Sequence, residues 1–416
     1  MREMKDSGIQ WAGLIPNDWS KVRLRDYYVI EKGKNAQKYT VEYIGKNEGN
    51  IPVYSGQTDN DGVMGYVNDC DYDVESCLFS TTVGAKAMSP KLLRGKFCLS
   101  QNCLIMKSIK EIDNSFMFYE LNPLFDFERH SIPQYMQPSL RIDDLNKFIV
   151  LLPSLEEQHR ISAYLDAKCS EIDALTADIQ SQIDTLEQYK RSVITEAVTK
   201  GLNRDVEMKE SGIEYVGKIP ASWDMHPVYY YFGERKHKNS LGEEQNLLSL
   251  SYGNIIRKDI NTREGLLPES FNTYNIVEAG DIIIRPTDLQ NDKRSLRTGL
   301  VREHGIITSA YIDLMPVRNI NTEYYHYLLH AFDVMKVFYN MGNGVRQGLN
   351  FSEFSRLMVF EPSLAEQNSI VDYLNDKCEQ INTVISEKQD QLATLDAYKK
   401  STIYEYVTGK KEVPAV

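Results

Sequence analysis

Residues 153–201 decide the fold, and they read PSLEEQHRISAYLDAKCSEIDALTADIQSQIDTLEQYKRSVITEAVTKG. Apolar residues recur there at seven-residue intervals, with further apolar residues between them: Leu165, Ile172, Ile179, Leu186 and Val193, then Ile161, Leu175, Ile183 and Tyr189. This spacing places one apolar stripe along a helix. The pattern predicts a helix of about 45 residues, which is roughly 65–70 Å long at ~1.5 Å per residue.

The ends of this segment carry start and stop signals for a helix. Pro153 precedes the first turn, and Gly201 follows the last one. Ser154 and Glu157 have the three-residue spacing of a capping box. We therefore expect the helix to begin just after Pro153 and to end just before Gly201.

The long segment occurs twice. Residues 362–410 read PSLAEQNSIVDYLNDKCEQINTVISEKQDQLATLDAYKKSTIYEYVTGK, which repeats the pattern 209 positions later. The second stripe comprises Leu374, Ile381, Ile385, Leu392, Leu395, Tyr398 and Ile403. A shorter phrase also recurs, as MKDSGIQWAGLIPNDW at residues 4–19 and MKESGIEYVGKIPASW at residues 208–223. The chain therefore consists of two copies of one unit, each with a phrase, a variable block and a long helix.

The two stripes most simply bury each other, because one helix of this length cannot bury its stripe alone. We predict an antiparallel intramolecular pair, with the variable blocks at opposite ends and a pseudo-twofold axis between them. Two alternatives stay open: each helix packs on its own domain, or the stripes form an intermolecular coiled coil. The apolar residues of the phrases are predicted to pack the domains onto the helices: Ile9, Trp11, Ile15 and Trp19, and Ile213, Tyr215, Ile219 and Trp223.

The variable blocks have the pattern of mixed α/β domains. Short strand-like runs such as CLFSTTV, CLIMK and DIIIRP are separated by Gly, Asn and Asp, and a helical stretch follows in each block. The predicted fold class is α+β, with two mixed α/β domains separated by two long antiparallel coiled-coil helices in a pseudo-twofold arrangement. The predicted boundaries are 1–152, 153–203, 204–361 and 362–416.

The composition indicates a cytoplasmic protein with reduced thiols. The 416 residues include only six scattered cysteines, and they contain no apolar run of membrane-spanning length. The net charge of −12 argues at first against a nucleic-acid partner. However, the long segments carry 11 Lys and Arg against 18 Asp and Glu, whereas residues 20–152 carry 16 against 17 and residues 224–361 carry 15 against 17. Near-neutral blocks can hold a basic face, although ordinary solvated surfaces are the alternative.

Catalytic and metal-binding motifs are missing from the sequence. There is no phosphate-binding loop, no nucleophile elbow and no Cys or His at zinc spacing. Residues 122–125 read NPLF, which is similar to the target-base loop of amino-methyltransferases, but no glycine-rich cofactor loop precedes it. We expect NPLF to end a helix. We therefore predict a non-catalytic chain without a cofactor or metal.

Polar loops near the end of each block favour recognition of DNA. They contain Gln134, Tyr135, Gln137 and Arg141 in the first block, and Asn343, Arg346, Gln347 and Asn350 in the second. Arg, Gln and Asn side chains make paired hydrogen bonds to guanine or adenine in the major groove. Neighbouring Gly and Ser residues allow the backbone to approach phosphates.

The sequence resembles the DNA specificity subunits of type I restriction–modification systems over essentially its whole length. The resemblance rests on the repeated SGI…G.IP..W phrase, the PSL.EQ helix entries, the tail EQYKRSVITEAVTKG, and the strings GDIIIRP, GQTDNDGVMGYV and GKFCLSQNCLIMK. It implies that each block is a target recognition domain for one half of a split site in double-stranded DNA. It also implies that the helices dock two methyltransferase subunits, which an endonuclease and translocase subunit joins, and that the specificity subunit itself has no catalytic activity.

The predicted DNA contacts are chosen by residue type. They are Ser55, Gln57, Thr58, Lys86, Gln101, Gln134, Tyr135 and Arg141 in the first block, and Arg285, Lys293, Arg294, Arg297, Arg346 and Gln347 in the second. Burial in a salt bridge is the alternative for each of them. The alternative function is a coiled-coil tether that joins two protein-binding modules, and an enzyme that acts on DNA alone is a further alternative.

Overall fold

The computed structural model describes residues 2–57, 60–83, 87–133, 135–261, 270–287, 296–339 and 348–414. The chain divides into two compact units: unit 1 is Met1–Gln180 with Gln389–Val416, and unit 2 is Ser181–Lys388. Each unit thus joins one variable block to parts of both long helices. The boundaries predicted at residues 152, 203 and 361 concern sequence modules and stay a prediction.

The first half of the chain contains ten strands and four α-helices among the described residues. The strands are β1 (Met4–Asp6), β2 (Leu14–Pro16), β3 (Ser20–Arg23), β4 (Tyr28–Lys32), β5 (Glu48–Tyr54), β6 (Val63–Val67), β7 (Tyr72–Thr81), β8 (Lys91–Leu99), β9 (Cys103–Ser108) and β10 (Ile149–Leu152). The helices are α1 (Val41–Lys46), α2 (Asn114–His130), α3 (Ile142–Leu145) and α4 (Leu155–Lys200).

The described part of the second half contains twelve strands and three α-helices. The strands are β11 (Met208–Glu210), β12 (Lys218–Pro220), β13 (Asp224–Pro227), β14 (Phe232–Glu234), β15 (Leu248–Ser251), β16 (Asn254–Arg257), β17 (Asn275–Val277), β18 (Ile282–Ile284), β19 (Thr298–Leu300), β20 (Gly305–Ile307), β21 (Ile312–Pro316) and β22 (Met358–Glu361). The helices are α5 (Thr322–Val334), α6 (Phe351–Phe354) and α7 (Leu364–Val407).

The centre of unit 1 is a six-stranded sheet in the order β4-β9-β7-β8-β5-β6. Its pairings are antiparallel except for β5 with β8. Strand β9 is buried on both faces, because Leu104 and Met106 belong to the core that includes α2, whereas Ile105 belongs to a separate cluster on the other face. This two-residue alternation explains why the strand reads as a continuous apolar run.

Unit 2 contains a smaller sheet in the order β14-β21-β18-β19. Ile282 and Ile284 of β18 pack in the core with the residues of α5, whereas Ile283 packs in a second cluster on the opposite face. The apolar string DIIIRP is therefore a central strand with both faces covered. The mixed α/β character predicted for the two blocks is confirmed.

The two long helices begin and end where the sequence predicts. Helix α4 has 46 residues and α7 has 44, and each is followed by a glycine with positive φ, 72° at Gly201 and 67° at Gly409. Only half of each capping box is present. The Ser154 hydroxyl accepts the Glu157 amide at 3.3 Å, and Ser363 does the same for Glu366, but both glutamate side chains bind elsewhere.

Within each unit the helix segments pair antiparallel. In unit 1 the Tyr164 and Tyr406 rings lie 4.6 Å apart between centroids, and Lys399 Nζ donates to Asp173 at 2.6 Å. In unit 2 the Lys190 and Lys388 ammonium groups bind side chains on the other helix, which are Asn382 at 2.7 Å and Gln182 at 2.5 Å, respectively. Residue numbers rise along one helix as they fall along the other, so the predicted intramolecular pairing is confirmed.

The repeated phrase joins each block to the helices. The Trp19 indole donates to Glu157 Oε2 at 3.0 Å in unit 1, and the Trp223 indole donates to Glu366 Oε2 at 3.0 Å in unit 2. Both indoles are almost fully buried in the cores that contain helix residues. These bonds engage the two glutamates that the capping box would have used. The predicted packing of the phrase on the helices is confirmed, although Tyr215 is largely exposed.

Candidate nucleic-acid interface

Several loops meet at one end of the six-stranded sheet in unit 1. Backbone hydrogen bonds join them: Gly33 N to Cys103 O at 3.2 Å, Thr82 N to Asn102 O at 2.8 Å, Ser100 N to Tyr54 O at 2.9 Å, and Leu140 N to Thr82 O at 2.7 Å. The loops that follow β4, β5 and β7, the β8–β9 turn and the loop before α3 therefore lie side by side. A shared rigid end of a sheet is a suitable mount for side chains that bind a macromolecule.

These loops enclose an open groove of about 1040 Å³, which we call the unit 1 groove. Among the described residues, its polar lining comprises Lys32, Asn35, Gln37, Lys38, Thr82, Gln101, Asn102, Ser139, Arg141 and one acidic residue, Asp143. Amide and cationic side chains thus outnumber the one carboxylate in the groove. This combination of donors matches base edges and phosphates better than it matches an apolar ligand.

Four of the predicted contacts lie at this end of the sheet. Gln101 and Arg141 are exposed and line the groove. Ser55 and Gln57 follow β5, and the Ser55 amide donates to Gly62 O at 2.8 Å. Gln57 Nε2 donates to Val63 O at 2.5 Å, so this side chain already has a backbone partner. The structure brings Gln101 and Arg141 together in the groove, whereas Ser55 and Gln57 lie at the same sheet end but outside the groove lining. Contact of the four residues with DNA stays a prediction.

The remaining predicted contacts of the first block give less information. Tyr135 is 87% exposed in the loop that leads to Ser139, so its ring is free to stack on a base. Thr58, Lys86 and Gln134 lie outside the described residues. Among the described residues, the polar-loop pattern of the first block therefore identified an exposed surface.

The loop after β4 is a feature that the sequence reasoning missed. Residues 32–38 read KGKNAQK and contain three lysines, an asparagine and a glutamine without any acidic residue. Four of these seven residues line the unit 1 groove with their polar side chains: Lys32, Asn35, Gln37 and Lys38. A basic, amide-rich run at the end of β4 was the available signal. The second block has a similar run, RKHKNS at residues 235–240.

Asp69 lies behind residues 32–38 and affects the electrostatics of this loop. The Tyr43 hydroxyl and the Lys38 ammonium group hold the pKa of Asp69 below its usual value. Lys38 Nζ lies 2.9 Å from Asp69 Oδ1, and the Tyr43 hydroxyl donates to Asp69 Oδ2 at 2.5 Å. Asp69 therefore stays ionised and fixes one side of the loop.

The predicted contacts of the second block are mostly beyond the described part of the chain. Lys293, Arg294, Arg346 and Gln347 lie outside the described residues. Arg285 is half-buried directly after β18, and its amide donates to Arg297 O at 2.8 Å. Neither the burial nor the backbone bond decides whether the Arg285 guanidinium contacts DNA, so this role stays a prediction.

The prediction that Arg297 contacts DNA at the surface is wrong, because its side chain is completely buried in unit 2. Its Nε donates to the Tyr339 hydroxyl at 2.9 Å, and its Nη1 donates to the carbonyl of Thr287. Its backbone amide donates to Asp333 Oδ2 at 2.6 Å, and burial raises the pKa of that carboxyl. Arg297 is therefore a buried structural residue, whose side chain binds a hydroxyl and a carbonyl and whose backbone amide binds Asp333.

Among the residues that the structure describes, no three metal-binding side chains are grouped as a metal site would require. The same part of the chain contains no helix with the length and apolar content needed to cross a bilayer. What the site offers is a set of exposed donors on a rigid sheet end, which suits recognition.

Comparison with known proteins decides the family. Residues 16–185 match the family model for the type I restriction modification DNA specificity domain. A type I restriction enzyme specificity subunit of Methanocaldococcus jannaschii, MjaVIII, is 23% identical over 414 residues, which cover 96% of this chain and 94% of that protein. Residues 16–185 therefore form a type I DNA specificity domain.

Further matches of this chain to known proteins are shorter or concern the fold alone. A putative type I specificity subunit of Mycoplasma pneumoniae is 30% identical over 175 residues, or 40% of this chain and 66% of that protein. The chain spans 62% and 50% of two other Mycoplasma pneumoniae relatives. A chain from a structure on complex assembly of the type I R-M system aligns with a TM-score of 0.67 and 13% identity over 95% of this chain and 99% of that chain. At that identity the likeness establishes the fold, which is the α+β class predicted.

Proposed function

We propose that this chain is the specificity subunit, and therefore the DNA-binding component, of a type I restriction–modification complex. It reads an asymmetric DNA site in two parts. Each variable block binds one half-site, and the paired helices set the gap between them. Two methyltransferase subunits dock on equivalent surfaces, and an endonuclease subunit joins through them. The specificity subunit carries no catalytic residue, so the bases that it contacts flank the adenines that its partners flip out and methylate.

The observation that carries the proposal is the repeated junction between each block and the helices. The Trp19–Glu157 and Trp223–Glu366 hydrogen bonds are equal in length and occupy equivalent positions of the repeat. The blocks mounted on these junctions differ, because one is built on a six-stranded sheet and the other on a four-stranded sheet. Equivalent mounts that carry unlike domains favour the reading of two unlike half-sites.

The unit 1 groove supports DNA as the ligand of the first block. Its exposed lysine, amide and arginine side chains belong to the groups that contact phosphates and base edges. The long segments carry 11 Lys and Arg against 18 Asp and Glu, so seven of the twelve net negative charges of the chain lie on them. A negative helix surface repels phosphates and so disfavours DNA binding away from the recognition domains.

Exposed apolar residues at equivalent positions on the helices support docking of one partner twice. Leu175 and Tyr398 are 47% and 50% exposed beside the Asp173–Lys399 ion pair in unit 1. At the equivalent repeat positions of unit 2, Val384 and Tyr189 are 39% and 53% exposed. The apolar stripe is thus left partly uncovered at the same place in both copies. Two identical partners can cover these residues, which accounts for repetition of the helix sequence.

Co-expression of the full chain with its proposed methyltransferase partner tests this function. We expect the two proteins to co-purify as one specificity subunit with two methyltransferase subunits, as measured by native mass spectrometry. We also expect the complex to enrich one split sequence from a randomised duplex library. Enrichment of protein ligands without a methyltransferase or DNA would favour the tether alternative, and methylation or cleavage by the chain alone would favour the enzyme alternative.

A further inference from the structure

The loop formed by residues 32–38, which we call the KGK loop, is held rigidly from behind. The Lys34 amide donates to the Tyr72 hydroxyl at 2.7 Å, and Tyr72 is itself buried and stacked on Phe97 with ring centroids 5.1 Å apart. Asn35 Nδ2 donates to Asp71 Oδ1 at 2.8 Å. The first half of the loop is therefore fixed to β7 through a backbone and a side-chain hydrogen bond.

The second half of the KGK loop is fixed by the same pair of aspartates. The Tyr39 hydroxyl donates to Asp71 Oδ2 at 2.7 Å, while Asp69 binds Lys38 and the Tyr43 hydroxyl as described above. Each aspartate thus accepts two side-chain hydrogen bonds from the segment of residues 35–43. A loop that is ordered before binding loses little conformational entropy when a ligand arrives.

Two side chains of the KGK loop are left for a ligand. Among the described residues, the side chains of Lys32 and Gln37 have no hydrogen-bond or ion-pair partner. Both residues are exposed and line the unit 1 groove. Between them, Gly33 brings the backbone close to the sheet, since a Cβ there would lie 2.8 Å from the Leu99 Cβ. The Lys32 ammonium group and the Gln37 amide therefore line the same groove as Gln101 and Arg141, whereas Lys34 Nζ lies 5.3 Å from the Tyr72 ring centroid and is not part of the groove lining.

We infer that the KGK loop is a preformed DNA-contact element of the first recognition domain. Lys32 binds a backbone phosphate, and Gln37 reads a base edge next to the bases contacted by Gln101 and Arg141. The division follows from chemistry, because an ammonium group binds phosphate as a point charge and a carboxamide pairs with the donor and acceptor of adenine. The inference rests on the proposed function, since it names further residues of the same DNA site.

The test uses the full chain in complex with its methyltransferase and measures binding of the duplex enriched from a randomised library. Lys32→Ala should weaken binding of that duplex and of poly(dI-dC) by a similar factor, and it should reduce the slope of log affinity against log salt by about 0.9. Gln37→Ala should leave binding of poly(dI-dC) unchanged, and it should reduce discrimination at one base position by roughly 10- to 100-fold.

Two further variants separate contact from stability. Lys46→Ala is the matched control, because Lys46 is exposed on α1, pairs with Glu42 and does not line the groove. It should bind like the wild type. Tyr43→Phe removes one hydroxyl that holds Asp69, and it should weaken binding of the selected duplex without removing the salt dependence.

The results distinguish failure of this inference from failure of the proposed function. If the wild-type complex selects a sequence, but the Lys32 and Gln37 variants match it in affinity, salt slope and base preference, the KGK loop is not a contact element. If the wild-type complex selects no sequence, the proposed function fails and this inference fails with it.

Discussion

Removal of seven residues from each long helix is expected to move the preferred DNA gap. Deleting residues 176–182 from α4 and the facing residues 389–395 from α7 removes two turns and preserves the seven-residue spacing of both stripes. The pair becomes about 10 Å shorter at ~1.5 Å per residue. Because base pairs of B-DNA are ~3.4 Å apart, the selected gap should shorten by about three base pairs. Binding to the original site should fall by at least 100-fold.

Library selection with the complex measures the gap directly, and circular dichroism confirms that the shortened helices remain formed. The matched control keeps the helix length and replaces exposed residues of the same two segments by alanine. That control should select the original gap. A folded, shortened variant that still prefers the original gap would show that the helix length does not determine the spacing.

Arg297→Met is expected to destabilise unit 2 by about 3 kcal/mol, because it removes two hydrogen bonds of a charged group, each of which typically contributes ~1.5–3 kcal/mol. The bonds lost are those to the Tyr339 hydroxyl and the Thr287 carbonyl, and the buried Asp333 carboxylate also loses a nearby positive charge. Protonation of Asp333 limits the loss. Since burial already raises the pKa of Asp333 and Arg297 opposes that shift, the variant's deficit should shrink as the pH falls. Urea unfolding of the full chain at two pH values measures both effects.

Two comparisons identify the cause of that loss. Lys236→Met changes a largely exposed cation in the same unit and should cost less than about 0.5 kcal/mol. The double variant Arg297→Met with Asp333→Asn removes both charges but keeps a side-chain oxygen that can accept from the residue 297 amide, and it should recover part of the stability. A loss below about 1 kcal/mol in the single variant would mean that Arg297 is not the cation that stabilises this network.

The sequence predicted the parts of the fold that depend on periodicity. The spacing of Leu165, Ile172 and their neighbours identified both helices, and the glycines at their ends gave the boundaries. The helix pair was predictable because an unburied stripe needs a partner. Pro123 was misleading: NPLF lies inside α2, which continues to His130. Leu124 and Phe125, directly after the proline, are buried in the core of unit 1, and this packing holds the helix past the proline. Local sequence at a proline does not show such contacts.

The candidate site was predictable by residue type only in part. Gln101 and Arg141 lie on the groove because turns between strands place polar residues at the sheet end. Arg297 has the same composition signal, but its burial depends on Asp333 and Tyr339, which are more than 30 residues away in sequence. The KGK loop was missed because its significance comes from Asp69 and Asp71 behind it. Contacts between distant residues of this kind are not visible in one sequence.

Exchange of one recognition block tests whether each block reads its own half-site. Residues 224–361 would be replaced by the corresponding block of another specificity subunit, and methylated adenines would be mapped across the genome of cells that express the complex. We expect a split, asymmetric methylated motif in which one half changes and the other half and the gap are retained. A motif that changes in both halves, or one that is continuous and unaffected by the exchange, would contradict it.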